Sequence, residues 1–342
     1  MVVIYLVIGI LIATFIFERA FRRFVAPKIR DIFENMPPFN VPVEPENAAA
    51  RRVEFKTADG LVLRGSLLNA EIQDAAGLIL FLPELHGNHW MAQRYCQAFL
   101  NERFIVLSFD FRNQGESDTL AGYAPIHWMT EYEMADVEAA MEFIGSNEQL
   151  AELPILAYGI SRGGVAALLA GCRYPRIRAV IADSAFGTMA MICFFVDRFV
   201  KHVIPEWVYF LLPKWHVNMT LRQGVRLSES GRNCRYAHLE SEVKGLESAN
   251  VLLISGARDS YVTPEIARRL HEMIGSEADL WIVPGAKHNM SRGLQTDEYD
   301  RRILAHARKC LNAESDASVK EGLGSGPAAV SRMSERLASQ GL

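Results

Sequence analysis

The residues best suited to covalent chemistry are Ser161, Asp259 and His288. Ser161 stands in Gly159-Ile160-Ser161-Arg162-Gly163, between the apolar run Ile155–Tyr158 and the core-facing stretch Val165–Ala170. That order predicts a strand, a sharp turn and a helix, with the serine at the apex. A strained apex lifts the hydroxyl clear of the sheet, so the positions two before and two after it must be small. Gly159 and Gly163 meet that need, and Gly164 lets the helix pack close. The N–H of Arg162 then lies at a helix N-terminus, where it can stabilise a developing oxyanion.

A serine hydroxyl is a weak nucleophile until a base takes its proton. Asp259 follows the apolar run Val251–Ser255, and His288 follows Leu280–Val283. Both therefore lie just beyond the end of a predicted strand, at the edge where open α/β sheets place their sites. Neutral His288 can serve as base, and Asp259 can fix its tautomer and stabilise the imidazolium. Each residue alone reads equally well as an ordinary turn residue; the order Ser-Asp-His and the shared position at strand ends give the set its meaning. A second oxyanion donor is expected from the turn Pro83-Glu84-Leu85-His86-Gly87-Asn88, beyond the run Leu78–Leu82, and Asn88 is the residue assigned to it. His86 and His89 have an H-x-x-H spacing without the glutamate of a zinc helix or any further ligand cluster, so no metal and no cofactor is expected.

Positioning these groups requires a sheet. Arg51–Lys56 and Leu61–Leu68 alternate around Ala58-Asp59-Gly60 and predict an antiparallel hairpin. Leu78–Leu82, Phe104–Phe109, Ile155–Tyr158, Ala179–Ala182, Val251–Ser255 and Leu280–Val283 read as buried strands. Helical patterns alternate with them at Ala92–Leu100, His127–Ile144, Ile266–Ile274 and Tyr299–Leu311. The expectation is an α/β fold with a mainly parallel, doubly wound sheet. About 65 residues separate the strand ending near Asp183 from the next, far more than a crossover needs. They predict an inserted helical cap over about 186–248, rich in large apolar side chains. Most of these are expected to pack the cap on the core; Leu85, Phe186, Phe194 and Phe195 are candidates for an apolar acyl pocket over Ser161. The basic stretch Arg222–Tyr236 is expected on the cap's outer side, and Asp136 and Asp183 as helix or turn partners.

The chain has 342 residues, with 36 basic and 40 acidic side chains and a net charge of −4, which gives no reason to expect nucleic acid as a partner. Five cysteines without a C-x-x-C pair argue against a disulfide framework, and Cys172 and Cys193 are expected to be buried. Residues 1–17 carry no charged side chain, span about 25 Å as a helix and lack a basic n-region, which predicts an uncleaved membrane anchor. The flank with Arg19, Arg22, Arg23, Lys28 and Arg30 places the main domain in the cytoplasm by the positive-inside rule. Phe21, Phe24, Ile29, Ile32 and Phe33, interleaved with those charges, suit a helix lying on the membrane surface. Pro37, Pro38, Pro42 and Pro45 mark a linker within 18–50, and 313–342 reads as a disordered tail.

Residues 51 to about 312 resemble the α/β-hydrolase superfamily. The resemblance rests on LHGN, FDFRNQGESD, YGISRGG, IADSAFG, SGARDSYVTP and PGAKHN. It is closest to single-domain serine hydrolases tethered by one N-terminal helix, near the dienelactone-hydrolase and prolyl-oligopeptidase branches. One departure is Asn113-Gln114, where members often have Gly-His in a structural turn. The resemblance implies a Ser161–His288–Asp259 triad, an acyl-enzyme and a small-molecule or lipid-like ester or thioester substrate. Acyl transfer, peptide cleavage by the same triad, and a non-catalytic scaffold on the same fold remain the alternatives. Oligomeric state is not legible.

Overall fold

A computed structural model describes residues 1–35, 41–199, 204–247 and 250–324, with the backbone alone at Phe199, Glu206 and beyond residue 312. Eight strands form one sheet: β1 (Arg51–Lys56), β2 (Val62–Leu68), β3 (Leu78–Leu82), β4 (Ile105–Phe109), β5 (Ile155–Ile160), β6 (Ile177–Asp183), β7 (Val251–Gly256) and β8 (Asp279–Val283). Their order is β1-β2-β4-β3-β5-β6-β7-β8. β1–β2 and β2–β4 pair antiparallel, and every later pair is parallel. The central strands β3, β4 and β5 are buried along their whole length, as their continuous apolar runs require when helices cover both faces. The α/β expectation and the eight strands are what the chain adopts.

Helix boundaries moved where local chemistry overrode periodicity. The stretch expected as one helix over Ala92–Leu100 is two, α2 (Met91–Tyr95) and α3 (Gln97–Asn101), broken at Cys96. α4 runs Glu131–Ser146 and starts four residues later than expected, because Thr130 and Glu133 form a capping box there. α5 (Arg162–Arg173) follows the elbow directly.

The insertion between β6 and β7 holds α6 (Thr188–Phe199), α7 (Glu206–Leu211), α8 (Lys214–Arg232) and α9 (Leu239–Glu242). After the sheet's later strands come α10 (Pro264–Ile274), α11 (Ser291–Leu294) and α12 (Thr296–Gly324). α12 continues past the boundary expected at 312; its Ala-, Glu- and Lys-bearing continuation sustains helix until Gly322 and Gly324. Residues 325–342, the rest of the expected tail, lie outside the described residues, as do Pro37 and Pro38 of the linker.

One expectation fails at the N-terminus. The apolar segment and its basic flank are a single helix, α1 (Val2–Glu34), with Pro27 inside it. Its second half does not lie free as a surface helix: Val25, Ala26, Ile29 and Phe33 are buried. Their partner is α8. A Cβ on Gly224 would meet Ile29 Cγ2 at 2.7 Å, so glycine is what lets the two helices approach. His216 Nδ1 lies 2.6 Å from Glu18 Oε1, and the Ser228 hydroxyl donates to Glu34 at 2.5 Å. The stretch expected on the cap's outer side is therefore inward-facing along Leu221, Gly224, Val225 and Ser228. Those positions follow i, i+3, i+4, i+7, a helical stripe hidden by the arginines between them. All five cysteines are free; Cys172 and Cys193 are half-buried rather than buried.

Candidate active site

Ser161 sits between β5 and α5 with φ 53° and ψ −116°, a conformation costly for any residue with a side chain. The neighbours hold it there. Ser161 N–H donates to Asp183 O at 2.7 Å. A Cβ at Gly159 would lie 2.0 Å from Gly163 O, and one at Gly163 would lie 2.1 Å from Leu82 O. Both elbow glycines are thus fixed by backbone contact, and the elbow rests on the end of β3.

The other two groups arrive on loops stitched to each other. Ala257 N–H donates to Val283 O and Arg258 N–H to Ala286 O, at 2.9 and 2.8 Å. A Cβ on Gly256 would strike Ala286 O at 2.4 Å. The loop after β7 is thereby pressed against the loop after β8. Asp259 Oδ1 accepts the N–H groups of Tyr261 and Val262 at 2.8 and 2.9 Å, which leaves Oδ2 for His288 Nδ1 at 2.6 Å. His288 Nε2 is 3.0 Å from Ser161 Oγ. Asp259 is an acceptor, so it holds the imidazole proton on Nδ1 and leaves Nε2 to accept from the serine. The three residues singled out in the sequence are in one hydrogen-bonded line.

The two residues assigned to the oxyanion hole differ. Arg162 opens α5 with its N–H at the helix N-terminus. Its side chain is buried and pairs with Glu133 at 2.5 Å, so the charge is spent inside the fold. Glu133 is the same carboxylate that caps α4 through Thr130. Asn88 lies farther along its turn, with its side chain accepting from Glu44 N–H and donating to Glu44 O. Gly87 N–H closes the turn on Glu84 O, and His86 N–H donates to Gln114 Oε1. The backbone N–H groups of Leu85 and Asn88 both carry no hydrogen bond among the described residues, and Leu85 lies closer in sequence to the Leu82–Pro83 carbonyls on which the Ser161 turn rests. The departure Asn113-Gln114 thus has work here: Asn113 takes φ 61°, which asparagine tolerates, and Gln114 fixes His86.

Of the candidate pocket residues, Leu85, Phe186 and Phe195 are buried and Phe194 is half-buried. Phe186 lies edge-on against Trp128 at 5.8 Å, and Phe194 meets Phe195 edge-on at 5.6 Å. Cavities of about 600 and 420 Å³ flank the cap, lined by groups such as Arg226, Glu229 and His238 and by none of the three residues above. Polar groups surround His288 instead. Tyr261 packs on its ring at 5.6 Å. His127 is driven down to about 4, first by burial and then by the charges of Arg162, His86 and His288, so it shares their space.

Glu84 is the group the sequence did not flag. It is buried, receives the Asn289 side-chain N–H and is within electrostatic reach of His288 and Asp183. Burial raises it to about 7 despite the opposing pull of His288 and Asn289. Its one sequence signal is its place beyond β3, where a carboxylate must desolvate. Asp183 and Asp136 are buried too, held by Ser184 and Tyr299 and by Arg112 respectively.

Comparison with known proteins agrees with this architecture. An esterase from Pyrococcus furiosus, Pf2001, superposes with a TM-score of 0.57 at 20% identity, over 81% of this chain and 99% of its own. The α/β hydrolase GrgF from Penicillium sp. sh18 gives 0.55 at 16% identity, over 76% and 98%. The chain has the α/β-hydrolase fold. Residues 73–241 match the family described as serine aminopeptidase, S33. A curated relative, the thiohydrolase aneE of Aspergillus aculeatus, is 30% identical over 145 residues, which are 40% of this chain and 42% of that protein. The match thus spans less than half the relative's length. The dienelactone-hydrolase and prolyl-oligopeptidase branches find no counterpart in these matches.

Proposed function

We propose that this α/β hydrolase is a membrane-tethered serine hydrolase that cleaves a carboxylic ester or thioester. The observation that carries the reading is the unbroken line Ser161 Oγ–His288 Nε2–Asp259, at 3.0 and 2.6 Å. In the first half-reaction Ser161 attacks the carbonyl carbon while His288 takes its proton. The tetrahedral oxyanion is held by the N–H of Arg162 and, we infer, by that of Leu85 rather than Asn88. His288 then gives the proton to the leaving alcohol or thiol, and an acyl-serine remains. In the second half His288 deprotonates water, which attacks the acyl-enzyme and frees the acid.

The sulfur or oxygen leaving group is favoured by the names of the matched proteins, an esterase and a thiohydrolase. A peptidase reading is favoured by one observation, the aminopeptidase description of the matched family. One panel separates them: the full chain in detergent, assayed on p-nitrophenyl esters and acyl thioesters of graded chain length and on aminoacyl anilides, beside Ser161→Ala. Ester or thioester turnover that Ser161→Ala abolishes supports the proposal. Turnover of the anilides alone transfers the assignment to amide cleavage, and inertness of both proteins leaves a scaffold on the fold.

The tether reading rests on α1, which is long and apolar enough to cross a membrane and continues unbroken into a docked half. The basic flank supports a catalytic domain on the cytoplasmic side by the positive-inside rule. Protease added to the cytoplasmic face of sealed vesicles is expected to cleave the domain; full protection contradicts that orientation.

A further inference from the structure

Apart from Phe24, Val43, Met290 and Leu294, the exposed large apolar side chains of the described residues gather in two places. One is the first half of α1, from Val2 to Phe17. The other is the segment around α7 and the start of α8: Trp207, Phe210, Leu211, Trp215 and Met219, exposed by 69, 87, 70, 56 and 45%. Aromatic side chains of this size each carry roughly 150–250 Å². Soluble surfaces seldom leave such a contiguous patch in water without a use.

The packing of α1 on α8 fixes where that patch lies. The contacts Glu18–His216, Ile29–Gly224 and Glu34–Ser228 run in the same direction along both chains, so the two helices are parallel. His216 is level with Glu18, and its ring also packs on Phe21 at 4.9 Å. Lys214, the first residue of α8, is two residues earlier, or about 3 Å farther along the axis. It is therefore level with the end of the apolar segment of α1. α7 precedes it. The inner side of α7 is turned to α1, for Tyr209 and Leu212 line a small apolar recess together with Phe21, Val25 and His216. The outer side carries Trp207, Phe210 and Leu211. Around the same level lie Arg19, Arg22 and Arg23, lining a recess of about 340 Å³ with Gln223.

We propose that the face bearing Trp207, Phe210, Leu211, Trp215 and Met219 is a bilayer-docking surface, seated in the interfacial layer of the membrane that α1 enters. The inference rests on the tether reading above. Three observations select lipid as the occupant: continuity with the apolar half of α1, the depth set by the Glu18–His216 contact, and a tryptophan-and-arginine composition suited to a headgroup boundary. The docked half of α1 also reaches the catalytic half. Phe33 stacks on Trp128 at 4.4 Å, and Trp128 meets Phe186 and adjoins His127. The cap is thereby held at one height over the membrane, with this contact about 24 Å along α1 from the end of its apolar segment.

Tryptophan emission tests this directly, because α1 contains no tryptophan and Trp90, Trp128 and Trp281 are buried. The full chain is reconstituted in phosphatidylcholine–phosphatidylglycerol nanodiscs, with acyl chains either plain or brominated near the carbonyl end. Bromination is expected to quench the emission of the two exposed tryptophans among the five. The Trp207→Tyr/Trp215→Tyr variant is expected to lose that quenchable part while its Ser161 still reacts with a fluorophosphonate, which shows that it folds. Co-elution with discs but unchanged emission overturns the docking surface and leaves the tether intact. Failure to enter discs overturns both. Concentration-dependent pairing of chains, with emission insensitive to bromination, assigns the face to a second copy instead.

Discussion

The sheet edge and the α1–cap unit are built in opposite ways. At the sheet edge, short loops from β3, β5, β7 and β8 converge, and backbone carbonyls packed against glycines fix the groups to within a hydrogen bond. The α1–cap unit joins residues almost two hundred positions apart through side chains on two long helices. The first region tolerates no added atom; the second depends on one close approach at Gly224. Damage to the first is expected to appear in chemistry, and damage to the second in stability and membrane geometry.

The sharpest break is at Asp259. Asp259→Asn presents an amide to His288 Nδ1 and favours the wrong tautomer, so kcat for ester cleavage is expected to fall by about 10³–10⁴ with thermal stability little changed. Next is Gly163→Ala, whose Cβ must displace the Leu82 carbonyl. Overpacking of this kind costs ~1–3 kcal/mol or more, and activity is expected to fall with stability. Gly224→Leu should show the contrast. It forces α8 from Ile29 at a cost of about 1–3 kcal/mol in cap unfolding, measured by denaturant melts, while fluorophosphonate labelling of the folded fraction persists.

The smallest effect sharpens the electrostatics of the first region. Glu84 is raised from 4.5 to about 7 by burial, so the native state keeps its proton where the unfolded chain has lost it. Stability therefore falls as pH rises from about 4.5 to 7 and stays reduced above that. Glu84→Gln removes the penalty. Relative to the native chain it should gain on the order of 2 kcal/mol between pH 5 and pH 8. Equal gains at both pH values contradict a buried, titrating Glu84.

Legibility followed the same division. Ser161, Asp259 and His288 could be read because strand ends are marked by apolar runs and glycines, and the order of the three is itself a pattern. Glu84 could not, since a single carboxylate in Pro-Glu-Leu carries no period and its burial depends on the loop after β8. The docking of α1 was half visible: Leu221, Gly224, Val225 and Ser228 form a stripe, as do Val25, Ile29 and Phe33. What the sequence lacks is which stripe meets which, so the docked half of α1 read as a membrane-surface helix. Which N–H of the turn after β3 faces the oxyanion was not legible for a related reason. Position along a turn depends on its closing hydrogen bonds, here Gly87 to Glu84 and His86 to Gln114.

The most direct test is to treat the full chain with a fluorophosphonate and map the adduct by peptide mass spectrometry, beside Ser161→Ala and His288→Ala. One adduct is expected, on Ser161, absent from Ser161→Ala and formed about 10³-fold more slowly in His288→Ala. An unlabelled native chain, or an adduct on another serine that survives in Ser161→Ala, contradicts it.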